Sequence, residues 1–349
     1  MRLSVIVPVY NMAEGGKLQF CLESLVHQTL PEGSYEIIAV DDCSTDNSME
    51  ILREYAEQYP DRFKAVHSPV NHHQGGAKNI GLSMAKGDWI GFIDADDWVT
   101  PDYYERLLNR AVETAADMVG CDYSLTDEHS MKVGKIVSNN AQEQVGVMNT
   151  EKYRKLLLDT GSLVVKIYKR YIIFGEQDNG AFRKIFPEDM FYEDNAISNT
   201  WMLRVKHFEY IAEPLYYYYQ HAESTVHTIS EKNLQDRITA GRMILEQART
   251  HGYLEMYYSE IEFMYIVLFY INTLFSAMPK ASHIRKCYKF CRDLGKEMKE
   301  TFPAFQDNPY YQQRIHPEEK KLIAMQMKSH LKFYCYYRLL WFYRGLRKK

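Results

Sequence analysis

From Leu3 to Ser124 the chain alternates short β-branched runs with helix-period segments, and this alternation restricts the fold more than any other feature. "LSVIVPVY" is a continuous β-branched run, as expected of a strand buried on both faces. "LQFCLESLVHQT" has helical spacing, "YEIIAVDD" is a second strand, and "STDNSMEILREYAEQY" is a helix that Ser44, Thr45 or Asp46 can cap. "FKAVHS", "GGAKNIGLSMAKG", "WIGFIDADD", "TPDYYERLLNRAVET" and "ADMVGCDYS" continue the series as strand, helix, strand, helix and strand. This order predicts an α/β fold with a mostly parallel central sheet covered on both sides. Ligands on such sheets lie beyond the carboxyl ends of the strands. There the sequence gathers Tyr10, Asn11, Asp41, Asp42 and the run Asp94 to Asp97.

From Leu125 to Thr150 the pattern dissolves into polar residues, which predicts a long loop or hairpin over that edge. Regular structure resumes with "TEKYRKLLLD", "SLVVKIYKRYIIF", "EDNAISNTWMLR" and the aromatic strand "FEYIAEPLYYYYQH"; beyond Ser230 the signal is helical. The expected organisation is an α/β domain over 1–229, in halves 1–125 and 126–229, and a C-terminal helical domain over 230–349.

With 349 residues, 46% hydrophobic and 25% charged, the chain can bury a sizeable core. The opening segment, cut at Pro8, is too short for a secretory or membrane segment. The six cysteines are scattered, and Cys287 and Cys291 lack a matching pair for a zinc site. Reduced thiols and a cytoplasmic location are therefore expected. The longest apolar run, Phe263 to Met278, contains Asn272, Thr273 and Ser276 and is shorter than the roughly 20 residues of a bilayer span, so a buried helix is expected.

Side-chain alternation along a strand puts Asp94 and Asp96 on one side and Ala95 on the other. Two carboxylates at a strand end make a hard-oxygen site suited to Mn²⁺ or Mg²⁺. Asp97 and Thr100 read as caps of a helix starting at Pro101. A lone Asp-x-Asp also opens the haloacid dehalogenase phosphatase pattern, but there it ends the first strand and is closely followed by Thr. Here it ends the fourth, and position 98 is Trp.

Four segments in order, "VIVPVYN", "EIIAVDDCSTDNS", "NHHQGGAKNIGL" and "WIGFIDADDWVTPDYYERL", resemble the bacterial family 2 glycosyltransferases, which have the GT-A fold. The resemblance implies an inverting, metal-assisted transfer of sugar from a nucleotide-diphosphate sugar, expected to be a UDP-sugar. The acceptor it implies is a hydroxyl of a cell-surface glycan or glycolipid. Residues 1–125 would then form the nucleotide-binding half and 126–229 the acceptor side. By the same resemblance Pro8, Tyr10 and Glu14 lie by the nucleoside, and Asp42 hydrogen-bonds the base. Asp94 lies by the ribose or metal, Asp96 is the principal metal contact, and Ala95 belongs to the same donor-contacting stretch.

Lys78 stands where the family usually has Arg, so a single contact to base or phosphate replaces a bidentate one; a solvated helix position is the plain alternative. "FPEDMFYEDNAISNTWMLR" resembles the segment whose Glu-Asp pair opens a helix beneath the acceptor. It makes Asp194 the candidate base and Glu193 the second choice, against a capping pair that merely favours the helix dipole. "YYYYQHAESTVH" places His221 toward the metal or diphosphate, and "SLVVKIYKR" places Lys166 toward the acceptor side. Two rival classes remain: a phosphatase or phosphotransferase with Asp94 as nucleophile, and a non-catalytic glycan-binding or scaffold protein.

After Glu319 there is no acid, while nine Lys or Arg residues stand among aromatics. Such a tail suits peripheral contact with the inner face of a cell membrane. At 100° per residue the aromatics surround the helix, however, and a terminal helix packed on its own domain fits the pattern as well. The net charge of −4 gives no general attraction to nucleic acid, the basic charge is local, and no recognition module accompanies it.

Overall fold

The computed structural model describes residues 2–175, 183–220, 230–278 and 284–347. Internal contacts divide the chain into two compact units, Met1–Thr228 and Ile229–Lys349.

The first unit is built on one mixed sheet. Its elements run β1 (Leu3–Val9), α1 (Lys17–Val26), β2 (Tyr35–Asp41), α2 (Ser48–Gln58), β3 (Phe63–His67), α3 (His73–Met84) and β4 (Trp89–Phe92). They continue as β5 (Trp98–Val99), α4 (Tyr103–Thr114), β6 (Met118–Thr126), β7 (Lys135–Val137), β8 (Gly146–Val147) and α5 (Thr150–Leu158). β9 (Lys166–Lys169), α6 (Arg170–Phe174), α7 (Glu193–Met202) and β10 (His207–Tyr219) complete the unit. The strand order is β3-β2-β1-β4-β9-β6-β10-β5, with β7 on β6 and β8 on β10. The long ladders, β1 with β2 and β6 with β10, are parallel. Every residue of β1 and β2 is buried, which explains their largely apolar character; of the polar exceptions Ser4, Glu36 and Asp41, Ser4 donates to Glu36 at 2.7 Å.

β1 is central: Leu3 pairs with Tyr35 on one side and Trp89 on the other. The chain moves outward from β1 to β3 and then returns to the opposite side at β4. This reversal opens a crevice beyond the carboxyl ends of β1 and β4, where the acidic run emerges. The order departs from a simple continuation, because β9 inserts antiparallel between β4 and β6. Its long-range pairing has no signature in local periodicity. The 125–150 region begins with the hairpin of β6 and β7. β10 carries Pro214 at an irregularity in its pairing with β6, where a missing N–H is tolerated.

Within the second unit the described residues are helical. The run from Phe263 to Met278 lies, but for its last residue, in a longer helix, Tyr258–Ala277, which by length and apolarity alone is sufficient to cross a membrane. Its 18-residue apolar window is 72% buried in the protein. Tyr265, Ile266, Phe269, Tyr270 and Leu274 are each at most 1% exposed, as in a core helix. Gly241 permits a neighbouring helix to approach it, since a Cβ there would fall 2.7 Å from that of Phe269. Cys287 and Cys291 are both free thiols, with sulfurs 3.9 Å apart.

Candidate active site

Five of the six non-glycine residues with positive φ, among those described, flank the crevice side of the sheet. Asn11, Cys43 and His73 follow β1, β2 and β3, and Asp189 and Tyr192 lead into α7. Side chains there are held in a conformation that costs free energy, a pattern concentrated at functional sites.

The turn after β2 braces the loop after β1. The backbone N–H groups of Asn11, Met12 and Ala13 donate to Ser44 Oγ, Ser48 Oγ and Asp46 Oδ2 at 2.9, 2.8 and 2.9 Å. The helix-capping role expected of Ser44, Thr45 or Asp46 is corrected: Asn47 is the N-cap of α2 and makes no side-chain cap bond, while Ser44 and Thr45 bond to Asn11. α2 begins at Ser48, whose N–H donates to Asp46 Oδ1, while the other oxygen of Asp46 fixes the β1 loop. Pro8 lies inside β1, Tyr10 projects from its end with 46% exposure, and Glu14 is exposed on the following short helical turn.

Asp42 is 2% exposed and its Oδ1 accepts the His72 N–H at 2.9 Å. Its Oδ2 is buried with no hydrogen-bond partner among the described residues, and burial raises the carboxyl pKa. A buried acceptor with spare capacity is suited to a ligand N–H.

β4 ends at Phe92, so strand alternation does not orient Asp94 and Asp96 as expected. Residues 94–97 instead form a turn closed by the Asp97 N–H on Asp94 O at 3.0 Å. Asp94 lies among like charges. Burial, opposed by Lys78 and reinforced by Asp96, Glu193 and Asp194, pushes its pKa up to about 7. Asp97 is not a helix cap. It is 1% exposed and accepts the Tyr216 hydroxyl at 2.6 Å and the Tyr219 N–H at 2.9 Å, tying the acidic turn to β10. α4 starts at Tyr103 rather than Pro101, and Thr100 spends its hydroxyl on Asp102.

α3 joins this donor-side edge to the segment preceding α7. Gly75 is required by contact: a Cβ would lie 2.0 Å from the Pro187 carbonyl oxygen. Lys78 is 2% exposed and donates to Glu193 Oε1 at 2.7 Å, so the solvated alternative for Lys78 is overturned. Asn79, which sequence reasoning passed over, accepts the N–H groups of Ile185 and Phe186, each at 2.9 Å, and donates to Phe186 O at 2.9 Å. Its position beside Lys78 in "AKN" was the available signal, because both amides and ammonium groups need partners when a helix is buried on that face.

Glu193 and Asp194 open α7 after the left-handed Tyr192. Glu193 is committed to Lys78, whereas among the described residues Asp194 Oδ1 accepts only from its neighbour Asn195, through N at 2.7 Å and Nδ2 at 2.9 Å. Burial and the adjacent Glu193 charge raise the Asp194 pKa, with Lys78 opposing. Asp94, Glu193 and Asp194 therefore share the field of one buried ammonium. Lys166 turns instead to the chain around it: its Nζ donates to the carbonyls of Thr160 at 3.0 Å and Ser162 at 2.8 Å. His221 lies outside the described residues.

The family model described as glycosyl transferase family 2 matches residues 4–166. The chain is also 30% identical over 312 residues to EpsH of Bacillus subtilis (strain 168), which carries a glycosyltransferase name; the match covers 88% of this chain and 85% of that protein. The chain is a family 2 glycosyltransferase. The phosphatase and scaffold readings fall with that membership. A poly(ribitol-phosphate) β-glucosyltransferase of Bacillus spizizenii is 39% identical over 119 residues, 34% of this chain but only 18% of that enzyme. The crystal structure of S. aureus TarS 1–349 in complex with UDP-GlcNAc superposes with a TM-score of 0.66 at 18% identity, covering 96% of this chain and 89% of the other. That likeness establishes the GT-A type of fold.

Among the described residues of this glycosyltransferase, no three His, Cys, Asp or Glu side chains are grouped to hold a metal ion. The donor chemistry nevertheless fits a divalent cation. Asp94 and Asp96 offer hard oxygens from one turn, and the carboxylates around Lys78 outnumber its single charge. A cation held by two protein carboxylates completes its shell with phosphate and water.

Proposed function

We propose that this family 2 glycosyltransferase moves a sugar from a UDP-sugar to a hydroxyl of a cell-surface glycan or glycolipid, with inversion at the anomeric carbon. The observation that carries the reading is the meeting of donor-side and acceptor-side carboxylates around Lys78, with Asp94 on the turn after β4 and Asp194 on α7. In a single displacement the acceptor oxygen bonds to the anomeric carbon as the bond to the diphosphate breaks. The hydroxyl proton passes to Asp194, and the electron pair of the broken bond leaves with UDP.

Asp194 takes the role of base in preference to Glu193, which the Lys78 ammonium already engages. Asp42 supports a base-recognition role through its spare buried oxygen. Pro8, Tyr10, Glu14 and Ala95 complete the donor side in this reading. Asp94 and Asp96, joined by His221, would hold Mn²⁺ or Mg²⁺, which when bound offsets the charge of the departing diphosphate. The UDP complexes of TarS support uridine as the nucleoside, and the relative named for glucosylating poly(ribitol phosphate) supports a polyhydroxylated acceptor.

Titration calorimetry with UDP and GDP, each with and without Mn²⁺, tests the donor. UDP is expected to bind more tightly than GDP and to gain affinity with the metal. Equal or absent binding of UDP under all conditions overturns the assignment.

A further inference from the structure

The C-terminal helix His330–Arg347 divides its aromatic residues between two environments. Phe333, Tyr334 and Tyr337 are 0, 5 and 7% exposed. They pack on the helical unit: Tyr334 meets Tyr288 edge-on at 5.1 Å, and Tyr337 lies 5.7 Å from Phe275 between ring centroids. Once this face is taken, the opposite side retains Leu331 at 60%, Tyr336 at 49%, Leu339 at 69%, Phe342 at 68% and Tyr343 at 51% exposure. At 3.6 residues per turn these five side chains occupy an arc of about 140°, which also contains Lys332. The aromatics surround the helix in sequence, yet packing leaves one apolar face in solvent.

We propose that this face docks peripherally on an anionic lipid surface. Charge selects the occupant. No acidic residue follows Glu319, whereas Lys320, Lys321, Lys328, Lys332, Arg338 and Arg344 lie on this helix and the one before it. Arg344 is paired with Glu318, so the excess is carried by the others. A second copy of the chain would bring the same basic surface against itself, while an anionic bilayer attracts it. Tyr336 and Tyr343, toward one edge of the arc, suit the headgroup level, where a ring is half apolar and half hydrated. The core helix Tyr258–Ala277 takes no part, being spent on the interior. This placement does not rest on the identity of the donor or of the catalytic base.

Flotation of the full chain with vesicles tests it. Vesicles containing about one-third phosphatidylglycerol in phosphatidylcholine are expected to carry the protein at low salt, and pure phosphatidylcholine vesicles to carry much less. Binding should fall as salt rises. The double substitution Leu339→Glu and Phe342→Glu should weaken partitioning at least about tenfold without altering thermal unfolding, since both positions are exposed. Lys332→Glu should weaken it about fivefold or more. The proposal is overturned if the full chain fails to float with anionic vesicles, or if the double variant floats as the parent does. It is equally overturned if sedimentation reveals a dimer that the same double substitution dissolves.

Discussion

The Lys78 ammonium lies 2.7 Å from the Glu193 carboxylate, across 115 residues of sequence and with both side chains almost fully buried. This pair fastens the helix after β3 to the first turn of α7, and so sets the distance between the donor edge and the candidate base. Its energetic character follows from burial. Removing one partner strands a charge away from water, whereas removing both does not.

Lys78→Met is accordingly expected to destabilise the first unit by about 3–5 kcal/mol in urea denaturation. The double variant Lys78→Met, Glu193→Met should recover much of that loss. If the single and double variants are equally unstable, the pair is not the reason for the cost.

Asp194→Asn preserves an oxygen for the Asn195 N–H groups but removes the basic carboxylate. Turnover should fall about 10²–10⁴-fold, the usual contribution of a general base, while the donor dissociation constant changes little. Retained turnover would move the base elsewhere, with Glu193 the next residue to examine.

Asn79→Ala releases Ile185 and Phe186 from α3. The expected loss is about 1–3 kcal/mol in stability, because buried backbone groups lose their partners. Turnover should also fall, with donor binding less affected, because Asn79 touches the approach to α7 rather than the nucleotide edge. Steady-state kinetics beside calorimetric donor binding separates the two effects.

Lys166 provides a pH signature remote from the acidic turn. Burial lowers its pKa from 10.5 to about 7, so between those values the unfolded chain binds more protons than the native one. Stability should therefore rise with pH across that window, by at most about 1.4 kcal/mol per unit, and the full cost of charging the amine applies below it. Lys166→Met should be more stable than the parent at pH 6 and should flatten the rise. Urea denaturation of both proteins at pH 6 and pH 9 measures the difference.

The legible parts of the fold were those with strong local periodicity. β1, β2 and amphipathic helices such as α4 announce themselves because a doubly covered strand is mostly apolar and a covering helix is apolar on one side only. β9 was read as regular structure without its place, since insertion between β4 and β6 is a matter of long-range pairing. The acidic run was legible as a site, but its division of labour was not. Asp97 has the composition of a cap and the environment of a core residue, because Tyr216 and the Tyr219 N–H reach it from β10, more than a hundred residues later.

The sequence by itself determined the alternating architecture, the crevice edge and the family, because four ordered segments carry both their local geometry and their chemistry. Only the tertiary structure decided what Lys78, Asn79 and Asp97 do and which face of the last helix is left in solvent. Each of those assignments depends on a partner distant in sequence, and a buried charge or amide takes its role from the group that satisfies it.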